Sequence, residues 1–231
     1  MQLSRTRLDY RPSPHSGYAM TSRRIVLCFT TALLLSAICG CESSTRNAMA
    51  NAYYRNPDKD LRTLGRVTLV ELDNASTYPE ISGNATGAIF LELQKKQVFG
   101  VARIGRDAPA WRPLQENLEA QQAMQALAEM RESLKCNGLL VGTVTEYRPY
   151  PSLVLGLRLK LLDLTDGQLL WAVEQVWDSA DKSIHGRVRE YLKRDFPLGP
   201  TTLREQLVVV SPLEFTKFAA YEVAQTLDAR K

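Results

Sequence analysis

From Arg66 onward the chain alternates between a period of two and a period near 3.6. Arg66-Val67-Thr68-Leu69-Val70-Glu71-Leu72 is rich in β-branched and aliphatic residues and reads as a strand. The loop Asp73-Asn74-Ala75-Ser76 with Tyr78-Pro79 follows it. Ile81, Ala85, Ile89 and Leu93 then recur at helical spacing and predict a helix over 79–96. Val98 to Ile104 reads as a second strand. Ala120, Ala123, Leu127, Met130 and Leu134 mark the stripe of a second helix over 114–135. A βαβα order by residue 135 predicts parallel strand pairing through a crossover.

The second half favours antiparallel pairing. Gly138 to Tyr147 is a strand, stopped by Pro149 and Pro151. In Leu153 to Leu164 the positions 153, 155, 157, 159 and 161 are all leucine, opposite Val154, Gly156, Arg158, Lys160 and Leu162. Such alternation fits a sheet with one packed and one partly wet face. Asp166-Gly167 is a hairpin turn signal, and Gln168 to Trp177 is the return strand, with Leu169, Trp171, Val173 and Trp177 on one side. A third helix over 180–195 buries Ile184, Val188, Tyr191 and Leu192. Pro197, Gly199 and Pro200 form a loop, and Leu207 to Val210 is a short apolar run. Ser211, Pro212 and Glu214 carry the N-cap, first-turn proline and capping-box signals of a last helix. Its buried face holds Phe215, Phe218, Ala219, Glu222/Val223 and Leu227. The expected fold class is α/β (α+β): a single mixed sheet of about five strands packed by three to four helices.

The first forty residues differ. Of 29 Lys and Arg and 25 Asp and Glu in the chain, residues 1–40 hold five arginines and one acid, so 24 of each remain beyond them. The formal charge of +4 belongs wholly to that segment, which removes bulk basicity as an argument for nucleic acid. Arg23-Arg24 precedes the apolar run Ile25–Ile38, too short to span a bilayer and of the length of a signal-peptide core. Residues 1–40 are therefore expected to be a leader. Met20 offers an alternative start that leaves a conventional leader of 21 residues.

Ile38-Cys39-Gly40-Cys41 resembles the lipobox of bacterial lipoproteins. The resemblance implies cleavage between Gly40 and Cys41, and acylation of Cys41 as the first residue of the mature protein. Glu42 follows where an Asp would favour inner-membrane retention, so an outer-membrane lipoprotein facing the periplasm is expected. Residues 41–63 are polar and weakly patterned and read as the lipidated cysteine and its tether, with a domain over 64–231. Cys28 and Cys39 leave with the leader, so Cys136 is the single free thiol expected, buried and inert.

Two further motifs carry a second resemblance. Cys136-Asn137-Gly138-Leu139-Leu140-Val141-Gly142-Thr143-Val144-Thr145-Glu146-Tyr147 and the hairpin Leu162-Asp163-Leu164-Thr165-Asp166-Gly167-Gln168-Leu169-Leu170-Trp171 look like elements of one periplasmic α/β domain. It is shared by curli-secretion-channel lipoproteins, lipoprotein activators of penicillin-binding proteins and the amino-terminal domain of TolB. The resemblance implies a binding or scaffold role in envelope assembly. It leaves a subunit of an oligomeric secretion channel as the alternative, although only the 153–177 hairpin is long enough for a membrane hairpin. A hydrolase is a third, weaker option.

Candidate chemistry is sparse. His185 is the one histidine after the leader, and no CxxC, HExxH, GxSxG or P-loop is present. No catalytic residue, metal ligand or cofactor is expected. The Gly83–Gly87 pair reads as close helix-to-sheet packing in preference to an anion site. The candidate partner-binding residues are Lys182, Arg187, Arg189, Lys193 and Arg194 on the third helix, and Trp111 between Pro109 and Pro113. The expected partners are the membrane, through acylated Cys41, and an unnamed envelope protein, with further copies of the chain as an option.

Overall fold

The leucine alternation of 153–161 fixes the centre of the molecule. The computed structural model describes residues 53–109, 123–195 and 201–228. Its elements are β1 (Tyr53–Arg55), a 3-10 turn (Leu61–Leu64), β2 (Arg66–Val70), β3 (Asp73–Asn74), α1 (Glu80–Lys96), β4 (Gly100–Ile104) and α2 (Ala123–Leu134). Then come β5 (Gly138–Arg148), β6 (Val154–Asp163), β7 (Leu169–Asp178), α3 (Lys182–Asp195), α4 (Thr201–Val210) and α5 (Pro212–Asp228). The strands form one mixed sheet ordered β1-β7-β6-β5-β2-β4, with β3 beside β5. β2 pairs in parallel with β4 and β5, as does β3 with β5. The β5–β6, β6–β7 and β1–β7 pairs are antiparallel.

Helices cover both faces of the sheet, unequally. Leu155, Leu157, Leu159 and Leu161 of β6, with Trp171, Val173 and Trp177 of β7, join the main core beneath α1, α3 and α5. Ile81, Ile89, Val188, Phe215, Phe218 and Val223 close it from the helical side. A smaller core on the opposite face seats Leu127 and Met130 of α2 on Val70, Leu139 and Leu164, and Cys136 is buried there as expected. Over β6 and β7 that face is open: Arg158, Lys160, Glu174 and Val176 are exposed.

The hairpin motifs have local structural causes. Gly167 adopts φ 74°, which a Gly accepts without a Cβ penalty, and its N–H donates to Asp163 O at 2.8 Å. Gly142 faces Leu159 across the ladder, and a Cβ there would lie 2.5 Å from the Arg158 carbonyl oxygen. Glycine is thus required at the middle of the Gly-Thr-Val motif by the approach of two strands.

Four expectations change. Residues 53–63 belong to the fold and not to a tether: β1 extends the sheet beyond β7, and Leu61, with Leu64, is buried in the main core. Lys59 also clamps the hairpin turn, its Nζ 3.1 Å from Asp163 and 2.7 Å from Asp166. The sheet has seven strands because β1 and β3, of three and two residues, carry no readable period. The run Leu207–Val210 is the end of a helix, so the described residues hold five helices. Of the helix expected over 114–135, the part from Ala123 to Leu134 is seen, and 110–122 lie outside the described residues.

Candidate functional site

The basic helix α3 is the first candidate, and most of its cations are exposed yet paired within the chain. Its apolar residues Ile184, Val188, Tyr191 and Leu192 are buried, which aims the flanking cations at α4 and α5. Arg187 Nη1 lies 3.2 Å from Glu222 Oε2. Arg189 forms a fork with Glu205, with Nε and Nη2 at 3.2 and 3.1 Å. Lys193 meets Glu190 at 2.8 Å on its own helix. Arg194 donates to Tyr221 Oη and Gln225 Oε1, both at 3.4 Å, and stacks over the Tyr221 ring. Lys182, at the exposed start of the helix, is the candidate cation for which no such partner is found among the described residues. His185, half-exposed, contacts Ser179 O through Nε2 at 3.1 Å, and its Nδ1 is 3.9 Å from Glu205.

Glu222 is the residue whose importance the sequence pattern only partly disclosed. It sits on the apolar face of α5, and its carboxylate also accepts Trp177 Nε1–H at 2.6 Å. Burial pushes its pKa above the ordinary carboxylate value, while Arg187 and the Trp177 hydrogen bond pull it back. An acid inside an apolar helical stripe was the available signal. One turn further, Thr226 Oγ1 accepts Trp171 Nε1–H at 3.0 Å, so both β7 tryptophans are fastened to α5. These groups are structural: each is consumed within the chain.

Two depressions lie at the carboxyl ends of β2 and β4, where open α/β sheets commonly receive ligands. One, of about 390 Å³, is lined by Glu71, Gly83, Thr86, Arg103, Ile104 and Gly105. A second and shallower one, of about 430 Å³, is bounded by Asn74, Ser76, Thr77, Ser82 and Arg106. The hydroxyls here serve the backbone: Thr86 Oγ1 accepts Leu72 N–H at 3.0 Å and donates to Ser82 O at 2.7 Å, and Ser82 donates to Leu72 O. Asn74 closes the preceding loop, its Oδ1 accepting from Ser76 and its Nδ2 donating to Tyr78 O. Arg106 pairs with Asp73. Among the described residues no group of three or more His, Cys, Asp or Glu could hold a metal ion.

This region revises the reading of Gly83 and Gly87. A Cβ would meet the Glu71 carboxylate at 3.9 Å and the Arg103 guanidinium at 3.5 Å, ordinary contacts with flexible side-chain ends. Neither glycine marks a tight helix-to-sheet contact. Gly83→Ala and Gly87→Ala should each therefore stabilise the fold, by up to about 1 kcal/mol from helix propensity. Gly142→Ala should do the reverse, by about 1–3 kcal/mol, because its neighbour is backbone. Denaturant midpoints of the three variants check both signs.

Trp111, Ile38, Cys39, Gly40 and Cys41 lie outside the described residues. No helix among the described residues is long and apolar enough to cross a membrane.

No protein-family model and no curated protein sequence matches the chain. Solved structures do resemble it. The PelC dodecamer of Paraburkholderia phytofirmans is 15% identical, covers 78% of this chain and 96% of its own, and has a TM-score of 0.46. Lipoprotein GNA1162 of Neisseria meningitidis is 14% identical over 58% of this chain and 96% of its own, with a TM-score of 0.39. The LpoB C-terminal domain of Escherichia coli is 13% identical over 63% and 93%, with a TM-score of 0.33. Of these structural neighbours, GNA1162 is itself described as a lipoprotein.

Proposed function

We propose that this chain is a lipid-anchored protein of the bacterial envelope that works by binding, as a scaffold or activator for an envelope assembly, from the periplasmic side of the outer membrane. The lipobox Ile38-Cys39-Gly40-Cys41 supports the anchor, and the neutral balance of the residues after the leader suits a domain that needs no anionic partner.

The observation that carries the binding role is the contrast between paired cations and an open sheet face. Arg187, Arg189 and Lys193 of α3 are engaged with Glu222, Glu205 and Glu190, whereas the middle of the sheet is open to solvent on one face. On that face Arg158 and Glu174 pair across the ladder at 2.6 Å, and Lys160 and Val176 stand beside them. An open β surface with a mixed charged and apolar make-up is a suitable docking face for another protein. The β6–β7 hairpin occupies the middle of the sheet with its leucines buried, so its withdrawal to line a pore would dismantle the core.

A photo-cross-linking residue at Lys160 in the intact envelope tests the role. Adducts with another envelope protein are expected from position 160 and not from buried Leu157. If 160 gives no more adduct than 157, the open face is not a docking surface and the reading fails.

A further inference from the structure

The first strand begins, and several exposed apolar side chains lie, toward one end of the fold. β1 runs antiparallel to β7, with Tyr53 opposite Val173 and Arg55 opposite Trp171. β1 therefore begins toward the end of the sheet at which β7 finishes, at Asp178, and β5 turns into β6 around Tyr150. The helices share this polarity. Lys96, at the end of α1, donates to Gln225 near the end of α5 at 2.8 Å, and the two helices pack along one another. Arg55 reaches Leu227 O, whereas Glu222 stands beside Trp177, further toward Asp178. The first turn of α5 and the α4–α5 corner at Ser211 consequently lie toward the Tyr150 end.

Besides the polar residues of the two depressions, that end carries exposed apolar side chains. Tyr150 is 83% exposed at the tip, Val210 68% and Leu213 53% at the corner. Leu207 and Leu203 extend the row along α4, 53% and 74% exposed, so 203, 207 and 210 follow helical spacing on the side away from buried Val208, and Leu213 follows beyond the corner in the first turn of α5. A helix that buries one face in its own core and still shows an apolar stripe outside has a second apolar surface to satisfy.

We propose that this end of the fold seats in the lipid interface of the membrane that holds the anchor, with Tyr150 and the Leu203–Leu207–Val210–Leu213 stripe as the contact. The proposal rests on acylation of Cys41. Eleven residues lie between Cys41 and Tyr53, and the twelve steps between the two, at no more than ~3.6 Å each, cannot place the fold further than about 43 Å from the anchor. Within that reach a second contact is intramolecular, so an apolar surface too weak to hold a free protein is occupied once the chain is tethered. The lipid interface accommodates such a surface: aromatic rings with a polar tip settle at headgroup level, and amphipathic helices lie in the plane with their apolar side about 5–10 Å deep.

The test uses the full-length acylated protein in phospholipid vesicles. Tyr150→Cys, Leu207→Cys and, at the opposite end in the β6–β7 turn, Thr165→Cys each carry an environment-sensitive fluorophore. Cys136, 3% exposed, is left unlabelled in the folded protein. The probes at 150 and 207 should be blue-shifted and lose most of their emission to doxyl-labelled lipid, whereas the probe at 165 should do neither. Vesicle flotation of all three reports the anchor independently: protein that does not float sinks the lipoprotein reading itself. If the protein floats while 150 and 207 are quenched no more than 165, the apolar end faces water or a protein, and the proposal is overturned. Cross-links between copies through position 207 would overturn it too, in favour of a second copy of the chain.

Discussion

Arg187→Met should destabilise the fold by about 3 kcal/mol at neutral pH. Removing one partner of a buried pair typically costs about 3–5 kcal/mol. The low end applies because the Arg187 side chain is 21% exposed, against 4% for Glu222, and water can reach one side of the pair. The loss is pH-dependent, and its sign follows from burial. The folded carboxyl of Glu222 has a pKa above its ordinary value, so the fold holds that proton more tightly than the unfolded chain does. The stability this provides is complete below the unfolded value of about 4.3 and is lost as pH rises through the folded pKa. Without Arg187 the folded pKa climbs further, and the loss spans a wider window. The gap between wild type and Arg187→Met in chemical denaturation should therefore be small near pH 4 and grow toward neutrality. Glu222→Gln, which keeps an acceptor for Trp177, should remove this pH dependence. A gap of constant size across pH would show that the pair does not govern stability.

Phe218→Ala should destabilise by about 3–5 kcal/mol, the usual loss for an aromatic side chain truncated in a packed core. Phe218 is fully buried, with ring centroids 5.8 Å from Tyr191 and 6.2 Å from Phe215. It thus joins α3 to α5, and its removal opens a cavity between helices that β7 cannot fill. Leu203→Ala and Leu207→Ala make the informative contrast. Both leucines face outward on α4, so each change should stay within about 0.5 kcal/mol. Thermal or denaturant unfolding of the isolated variants checks the two halves together. A large loss at Leu203 would mean that the stripe already has a partner within the chain.

Local pattern accounts for what was legible in the sequence. The leucines of β6 alternate through a strand that lies between two others, so their period survives into the fold. Ser211, Pro212 and Glu214 mark the start of α5, where the Glu214 N–H donates to Ser211 Oγ at 3.4 Å. α4 escaped because apolar residues occupy both of its sides, which erases the contrast that a helical period needs, and Val208-Val209-Val210 favours extended chain by propensity. β1 escaped because three residues have no period; it is a strand only because β7 offers an edge, 118 positions away between Tyr54 and Ala172.

The candidate surface was legible to a lesser degree, for the same reason. The cations of α3 are plain in the sequence, but Glu205 and Glu222 come to them from α4 and α5, and no spacing reveals that. The exposed leucines of α4 and Tyr150 carry no motif at all. Their meaning depends on the direction in which β1 enters the sheet, a property of topology.

Mass analysis of the amino-terminal peptide of the mature protein, purified from membranes, bears most directly on the anchored reading. The prediction is a peptide that begins at Cys41 and carries a diacylglyceryl thioether together with an amide-linked acyl chain. A mature chain that begins elsewhere, or that begins at Cys41 with an unmodified thiol, would contradict it.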